Sequence, residues 1–424
     1  MAKHLQDTPE HPGERPLRVW HKLGVTLLCG GLLSVLHGLS QDPAWVETHV
    51  VGGAPAVVSR MLSRLTSLTP VSVAEVGLAV ILLRVLWLAL SGLSDVLARR
   101  RRWWHALAGA VLWVGSRGSV GVLLFMGLWG LSYRRAPAVE RLGWQERVPP
   151  SSAQTGGEVA DEDAEQLRAW VTLSVDRVNA AYRAIHGSDD AGAPTEPRKG
   201  LDVDAAIAAG FARSATSLGL GAEVAKPRGG VKQPFASALM ATFGVGGIYI
   251  PFTGEAHVSA ELPAWAQVHT RAHEMAHQRM IASEDEANFF GFLACVGSDE
   301  PLLRYAAWQH ARSQLTAVLR RLDREAALAA HEALLPGPRR DLEALRDYHR
   351  KYEGPAVDLG SQVNDLYLKA NRVEGGVLAY GRAARLIAAW LQTDEGRRRV
   401  AGERAVRSQT RRKTPTEVDD GVAK

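Results

Sequence analysis

His269-Thr-Arg-Ala-His-Glu-Met-Ala-His-Gln-Arg-Met-Ile-Ala-Ser-Glu-Asp-Glu-Ala-Asn-Phe-Phe-Gly-Phe-Leu-Ala-Cys295 is the stretch on which the reading of this chain turns. Within it His273-Glu274-Met275-Ala276-His277 satisfies HExxH. On a helix, residues four apart share a face, so both imidazoles point the same way and Glu274 reaches the space beside them. That is a metal-site spacing. A catalytic zinc needs a third protein ligand and an open fourth position, and the acids Glu284, Asp285 and Glu286 supply candidates. Glu284 is preferred because Glu-Asp-Glu-Ala-Asn is similar to the ExxxD helix of zinc peptidases, in which Glu binds metal and the residue four later holds a ligand imidazole. Here that later residue is Asn288, which accepts an imidazole N–H without bringing charge. The step from His277 to Glu284 is short for that class, so the chain must turn tightly through Met280–Ser283, and Glu286 stays a competitor for the ligand role. His269 lies one turn before His273 and is read as a helix-start residue.

Upstream, Phe243–Ala260 (FGVGGIYIPFTGEAHVSA) joins two apolar stretches through Pro and Gly and reads as strand, turn, strand. Residues 161–185 and 203–218 carry helical periodicity, and helical patterns dominate beyond Leu302, broken near 336–338 and 353–355. The polar stretch PPSSAQTGGE before them reads as a linker.

The N-terminal third is of another kind. Residues 23–39, 71–93 and 110–131 are apolar runs long enough to cross a bilayer as helices. Lys3, Arg15, Arg18 and Lys22 precede the first and Arg99–Arg102 follow the second, whereas the loop between them holds only Arg60 and Arg64. Lys and Arg collect on the cytoplasmic side of short loops, which predicts a multi-pass protein of the cytoplasmic membrane, N-terminus cytoplasmic, with everything after about Tyr133 outside. A signal peptide is the other reading of the first run, but no small-residue cleavage site follows Leu39. Arg84 and Arg117 within the spans are read as snorkelling or paired side chains, not site residues.

Among 424 residues, 50 Lys and Arg oppose 45 Asp and Glu, for a net charge of +5. Much of this excess sits in Arg99–Arg102 and after Arg397, so it marks topology and a solvated tail, not a nucleic-acid surface. Two cysteines, Cys29 and Cys295, make no disulfide scaffold. The expected organisation is a membrane anchor over 1–135, a folded domain over 136–395 and a basic disordered tail over 396–424. The fold class is mainly α: three N-terminal transmembrane helices, then a helical zincin-like (gluzincin-like) domain with a small β-sheet.

The chain resembles the bacterial family known as domain of unknown function 3810, membrane-anchored metallopeptidases by expectation. The resemblance is carried by LWGLSYRRAP after the third span, IYIPFTGEAHVSAELP, AHEMAHQRMIASEDEANF and VNDLYLKANRVEGGVLAYGRAARL. It implies one zinc ion on His273 and His277, catalysis by Glu274, and an acidic ligand in the EDEAN segment, but no substrate. Met280 stands where a small residue, often Gly, is common, and His257 where Asn is frequent.

The expected function is zinc-dependent endopeptidase action on a protein or peptide, with Glu274 as general base toward a water held by the ion. An extended substrate would pair with the strand around Ile248–Phe252 or Ala256–Ser259. Tyr249, His257, Tyr367, Arg372 and Tyr380 are the candidates for a further cleft or oxyanion donor. The alternative is a non-catalytic zinc-binding membrane sensor or scaffold, which would have no need of Glu274. Intramembrane proteolysis is disfavoured because Arg271, Arg279 and acids flank the motif. Oligomeric state is not legible.

Overall fold

The computed structural model describes residues 16–98, 102–147, 161–370 and 381–401. Three helices are long and apolar enough to cross a membrane: α1 (Pro16–Leu39, its apolar span from Val19), α3 (Val73–Leu97) and α4 (Trp103–Leu128). Between them α2 (Ala54–Thr66) lies outside the apolar runs. The three spans leave most of their apolar side chains exposed, the pattern of helices solvated by lipid. Helices α1 and α4 pack along each other, while α3 touches α4 only lightly and buries no residue. The third span ends earlier than its apolar run predicts. Gly130–Arg134 form a tight 3₁₀ turn after Leu128, and Trp129 leaves the span to enter the folded domain.

That domain is mainly helical around a small sheet. It contains α5 (Asp161–His186), α6 (Val203–Ser217), α7 (Ser237–Thr242), α8 (Ala264–His277), α9 (Glu284–Val296), α10 (Pro301–Leu322), α11 (Arg324–Glu332), α12 (Pro336–Tyr352), α13 (Pro355–Ala370) and α14 (Gly381–Leu391). The sheet contains β1 (Val231–Lys232), β2 (Gly247–Ile250) and β3 (Glu255–Val258) in the order β1-β3-β2. Strand β3 pairs parallel with β1 and antiparallel with β2, with Ile248 opposite His257 and Tyr249 opposite Ala256, so β2 is an edge. The strand, turn, strand over 243–260 is therefore present. The two-residue β1 is an addition, too short to show alternation in sequence.

Helix α9 is the centre. After its first residue it is buried on every side, packed among α6, α8, α10 and α14, and it reads as apolar almost without interruption from Phe289 to Val296. Phe292 meets Trp308 and Trp390 edge to face, with ring centroids 5.7 and 5.3 Å apart. Helix α8 instead buries Trp265, Val268, Ala272, Met275 and Ala276, the three-and-four spacing of a helix with one face inward. The expectation of a disordered tail from 396 differs from the structure at its start: residues 394–401 are helical, and Arg399 pairs with Glu395. Residues after 401 lie outside those described.

The sheet is tied to the start of α3 by buried polar groups. Ser72 caps that helix, accepting from the Glu75 N–H at 3.1 Å, and its hydroxyl also meets His257 Nε2 at 2.8 Å. The Glu255 carboxylate accepts the Val73 and Ala74 N–H groups at 2.9 and 2.7 Å, and Lys232 Nζ donates to it at 2.6 Å. Burial acts to raise the Glu255 carboxyl, but these donors outweigh it and hold the pKa below its ordinary value.

Candidate metal centre

Helix α8 ends at His277 and α9 begins at Glu284 behind the cap residue Ser283. The connection closes because Met280 takes φ +64°, the left-handed conformation that normally ends a helix on Gly. Its N–H bonds the His277 carbonyl, and the Ile281 N–H bonds that of Ala276. A Met pays for that conformation with about 1–2 kcal/mol of strain. Here the side chain is fully buried with Val46, Val50, Trp129, Leu131 and Tyr249, which offsets it. Arg135 locks the turn from outside, donating to the Met280 carbonyl at 3.1 Å while its other nitrogens hold Glu47.

This turn brings His273, His277 and Glu284 together, with one potential ligand atom from each lying within 4.8 Å of the others. The two Nε2 atoms are 3.1 Å apart, and Glu284 oxygens lie 3.1 Å from His273 Nε2 and 3.6 Å from His277 Nε2. A tetrahedral ion with bonds of about 2.0–2.1 Å has ligand–ligand edges of about 3.3–3.4 Å, so these separations match a zinc-sized ion. The far side of each ring sets its tautomer. His273 Nδ1 lies 3.0 Å from Asn288 Oδ1 and His277 Nδ1 lies 2.7 Å from the Ile281 carbonyl. Both partners only accept, so each Nδ1 carries hydrogen, and in the neutral ring each Nε2 is left as the nitrogen free to ligate on the side of Glu284. Gly291 lets α9 approach this closely: a Cβ there would stand 3.1 Å from the His273 nitrogen.

The four titratable groups push one another far from their ordinary values. Burial lowers His277 to about 4. Burial lowers His273 too, but the hydrogen bond and charge of Glu284 prevail and raise it to about 9. Glu284, raised by burial but faced by both imidazoles, comes down to about 2. Glu274 is buried with only weak compensation from His273 and rises to about 8. Its Oε2 is buried with no hydrogen-bond partner among the described residues. With both rings neutral, two imidazole lone pairs and the Glu284 carboxylate converge on one point with Glu274 beside it, a set of ligand atoms that a divalent cation satisfies.

Glu286, two residues beyond Glu284, turns to the opposite side of α9. It accepts the Ala138 N–H at 2.6 Å and pairs with Arg141. It is therefore engaged with the segment that follows the third span and is not part of the cluster. Tyr249 is buried beside it, but its hydroxyl bonds Ser59 Oγ at 2.9 Å, and His257 faces Ser72. Neither hydroxyl nor imidazole is turned to the cluster. His269 stacks on His310 with centroids 3.6 Å apart and bonds the Asn288 carbonyl. Arg372 and Tyr380 lie outside the described residues, and of the Tyr367 side chain nothing is described.

Two neighbours of the cluster have no motif in the sequence. Trp129 Nε1 donates to the His277 carbonyl at 3.3 Å, and its ring stands edge to face on the His277 imidazole with centroids 5.7 Å apart. On the other side β2 presses on Glu274. A Cβ on Gly247 would lie 2.5 Å from Glu274 Oε1, so only Gly leaves that carboxylate its place. The one signal for Trp129 was its place in LWGLSYRRAP, and for Gly247 the pair of glycines that opens the strand.

A family model described as a protein of unknown function, DUF3810, matches residues 53–388. The chain belongs to that family. The matched range takes in α3, α4, the sheet and the whole His273–His277–Glu284 cluster of this DUF3810 protein. No curated protein and no solved structure matches it.

Proposed function

We propose that this DUF3810 protein is a membrane-anchored zinc-dependent endopeptidase whose site lies outside the cytoplasm, against the membrane surface. One observation carries the proposal: three ligand atoms of His273, His277 and Glu284 converge within 4.8 Å beside Glu274, whose Oε2 is buried and has no partner among the described residues. A structural ion would use no such carboxylate. His273, His277 and Glu284 would hold the zinc, which supplies Lewis-acid polarisation of a carbonyl and acidifies water. Asn288 and the Ile281 carbonyl keep both imidazoles in the ligating tautomer. Glu274 accepts the proton of the attacking water at Oε2 and delivers it to the leaving amine nitrogen. Burial, which raises this carboxyl above its ordinary value, supports a role in proton exchange.

The edge strand β2 supports an extended peptide as substrate. It lies against Glu274 through Gly247, and among the described residues its second edge has no strand beside it. Trp129 follows the last residue of α4 directly and touches His277, which supports action close to the bilayer. The arginines after α3 support an orientation with the N-terminus in the cytoplasm.

The test is metal analysis with cleavage profiling of the purified full-length chain. Glu274→Gln is expected to retain one zinc and lose hydrolysis, and His273→Ala or His277→Ala to lose the zinc. Equal hydrolysis by wild type and Glu274→Gln, at equal metal content, overturns the enzymatic reading and leaves a zinc-binding scaffold.

A further inference from the structure

The sheet carries a second feature, away from the metal cluster. Between Lys232 and Glu255 no Asp, Glu, Lys or Arg occurs. Phe235, Leu239 and Phe243 follow one another at four-residue spacing along α7 and its flanks, exposed at 86%, 60% and 37%. Leu68 and Val71, in the loop that enters α3, are exposed as well. Exposed aromatic and aliphatic side chains in a charge-free run call for an apolar partner.

Their height relative to α3 decides which partner. Glu75, in the first turn of that helix, accepts the N–H groups of Phe235 and Ala236 at 3.1 and 2.8 Å. Ser72 and Glu75 have the spacing of a capping box, but Glu75 reaches out to the Phe235 segment. The 25 residues of α3 extend about 37 Å, against a hydrocarbon core of about 30 Å. Its first turn therefore stands where headgroups meet acyl chains, and Phe235 is bonded at that level.

We infer that the Phe235–Phe243 face is inserted in the bilayer interface beside the Val73 end of α3, as a second membrane contact made by the folded domain itself. Aromatic side chains are favoured at that depth, and the occupant is the same lipid leaflet that surrounds the helix. The inference does not depend on hydrolysis or on metal. Its consequence is orientational. A domain held both by its helices and by this face cannot swing, and β2, which follows Phe243 within a few residues and exposes Ile248, stays near the lipid surface together with the exposed Phe252 of the turn after it.

The test is spin labelling of the full-length chain in phosphatidylglycerol-containing nanodiscs. Labels go on Phe235→Cys, on Leu239→Cys and, as a control, on Leu328→Cys, an exposed position of α11, which packs on α5 and α10. Cys29 and Cys295 are buried, and labelled wild type measures their background. Power saturation is expected to give an oxygen-to-nickel accessibility ratio several-fold higher at 235 and 239 than at 328. Water-like ratios at 235 and 239 overturn the inference. So does exclusion of both reagents with dipolar broadening between labels, the mark of a second copy covering the face. The two positions are independent, so failure of one variant to fold leaves the other to decide.

Discussion

Two buried polar clusters in this domain differ in one respect. Around Asp341, fully buried on α12, every partner is inside the chain: Thr195 donates from its N–H at 2.8 Å and from its hydroxyl at 2.6 Å, Tyr305 donates at 2.6 Å, and Gln309 donates to Tyr305 at 3.0 Å. Around Glu274 the side chains are nearly as buried, but His273, His277 and Glu284 turn their ligating atoms toward one another, and one Glu274 oxygen has no partner among the described residues. Burying a polar group is costly unless it is hydrogen-bonded. The first cluster is complete as structure. The second is left incomplete by side chains alone, which is the gap that the proposed cation and substrate would fill, and on that reading the difference separates a fastening from a site.

Exchanging the chemistry of the two clusters breaks the comparison most visibly. Glu274→Gln is expected to lower turnover by about 10²–10⁴ with the melting transition unmoved or slightly raised, because a buried carboxylate with no donor is removed. Asp341→Ala is expected to do the reverse. It strands Tyr305 and Thr195 and costs about 3 kcal/mol of stability, while turnover per folded, zinc-loaded molecule stays as in wild type. Denaturation and active-site-normalised kinetics on both variants decide it. A Glu274→Gln protein as destabilised as Asp341→Ala would make both clusters mere structure.

Gly247→Ala sharpens the comparison at one atom. The added methyl would overlap Glu274 Oε1, so the carboxylate must shift while His273, His277 and Glu284 are untouched. A displacement of about 1 Å near reacting atoms costs on the order of 10² in rate. Zinc content equal to wild type with turnover reduced to that extent is the expected result, and unchanged turnover would show that Glu274 does not act from its position here.

How far the sequence reveals this site follows from how local each part is. HExxH is legible because four-residue spacing fixes a helix face without outside help, and the apolar spans are legible because lipid imposes their length. Glu284 against Glu286 is not. Both acids open one helix, and what separates them is Arg141 and the Ala138 N–H, which arrive from the segment that follows α4, far earlier in the chain. Trp129 and Gly247 escape a reading by pattern for the same reason: each acts on a residue more than 25 positions away. Met280 was visible as a departure from the usual small residue, but only its dihedral angle and its buried surroundings explain the departure.

A third buried cluster, Glu255 with Lys232, lies between the other two in kind, since part of its satisfaction comes from the first turn of α3. The folded-state pKa of Glu255 is below its ordinary value of 4.5. The stability it contributes is therefore complete above about 4.5 and is lost as the pH falls through the folded value. Acid is expected to loosen the sheet from α3, and Glu255→Gln to remove that part of the acid dependence. Urea midpoints measured in nanodiscs between pH 7 and pH 3 check it, and parallel acid curves for the two proteins would show that the pair contributes nothing.

The smallest effect on the site is expected at Met280, where two opposing terms partly cancel. Met280→Gly removes the left-handed strain, about 1–2 kcal/mol, but also removes a fully buried side chain from among Val46, Trp129 and Tyr249. Truncating a buried Met to Ala already costs about 2–5 kcal/mol, and Gly adds backbone entropy to the unfolded chain. Burial prevails, so the variant should be less stable by about 1–4 kcal/mol. Zinc affinity should move little, because the Met280 N–H and carbonyl that shape the turn are retained and Gly adopts the same φ without strain. Calorimetry with a zinc titration separates the two. A large loss of zinc with little loss of stability would mean that the thioether itself, and not the turn it closes, holds His277 in place.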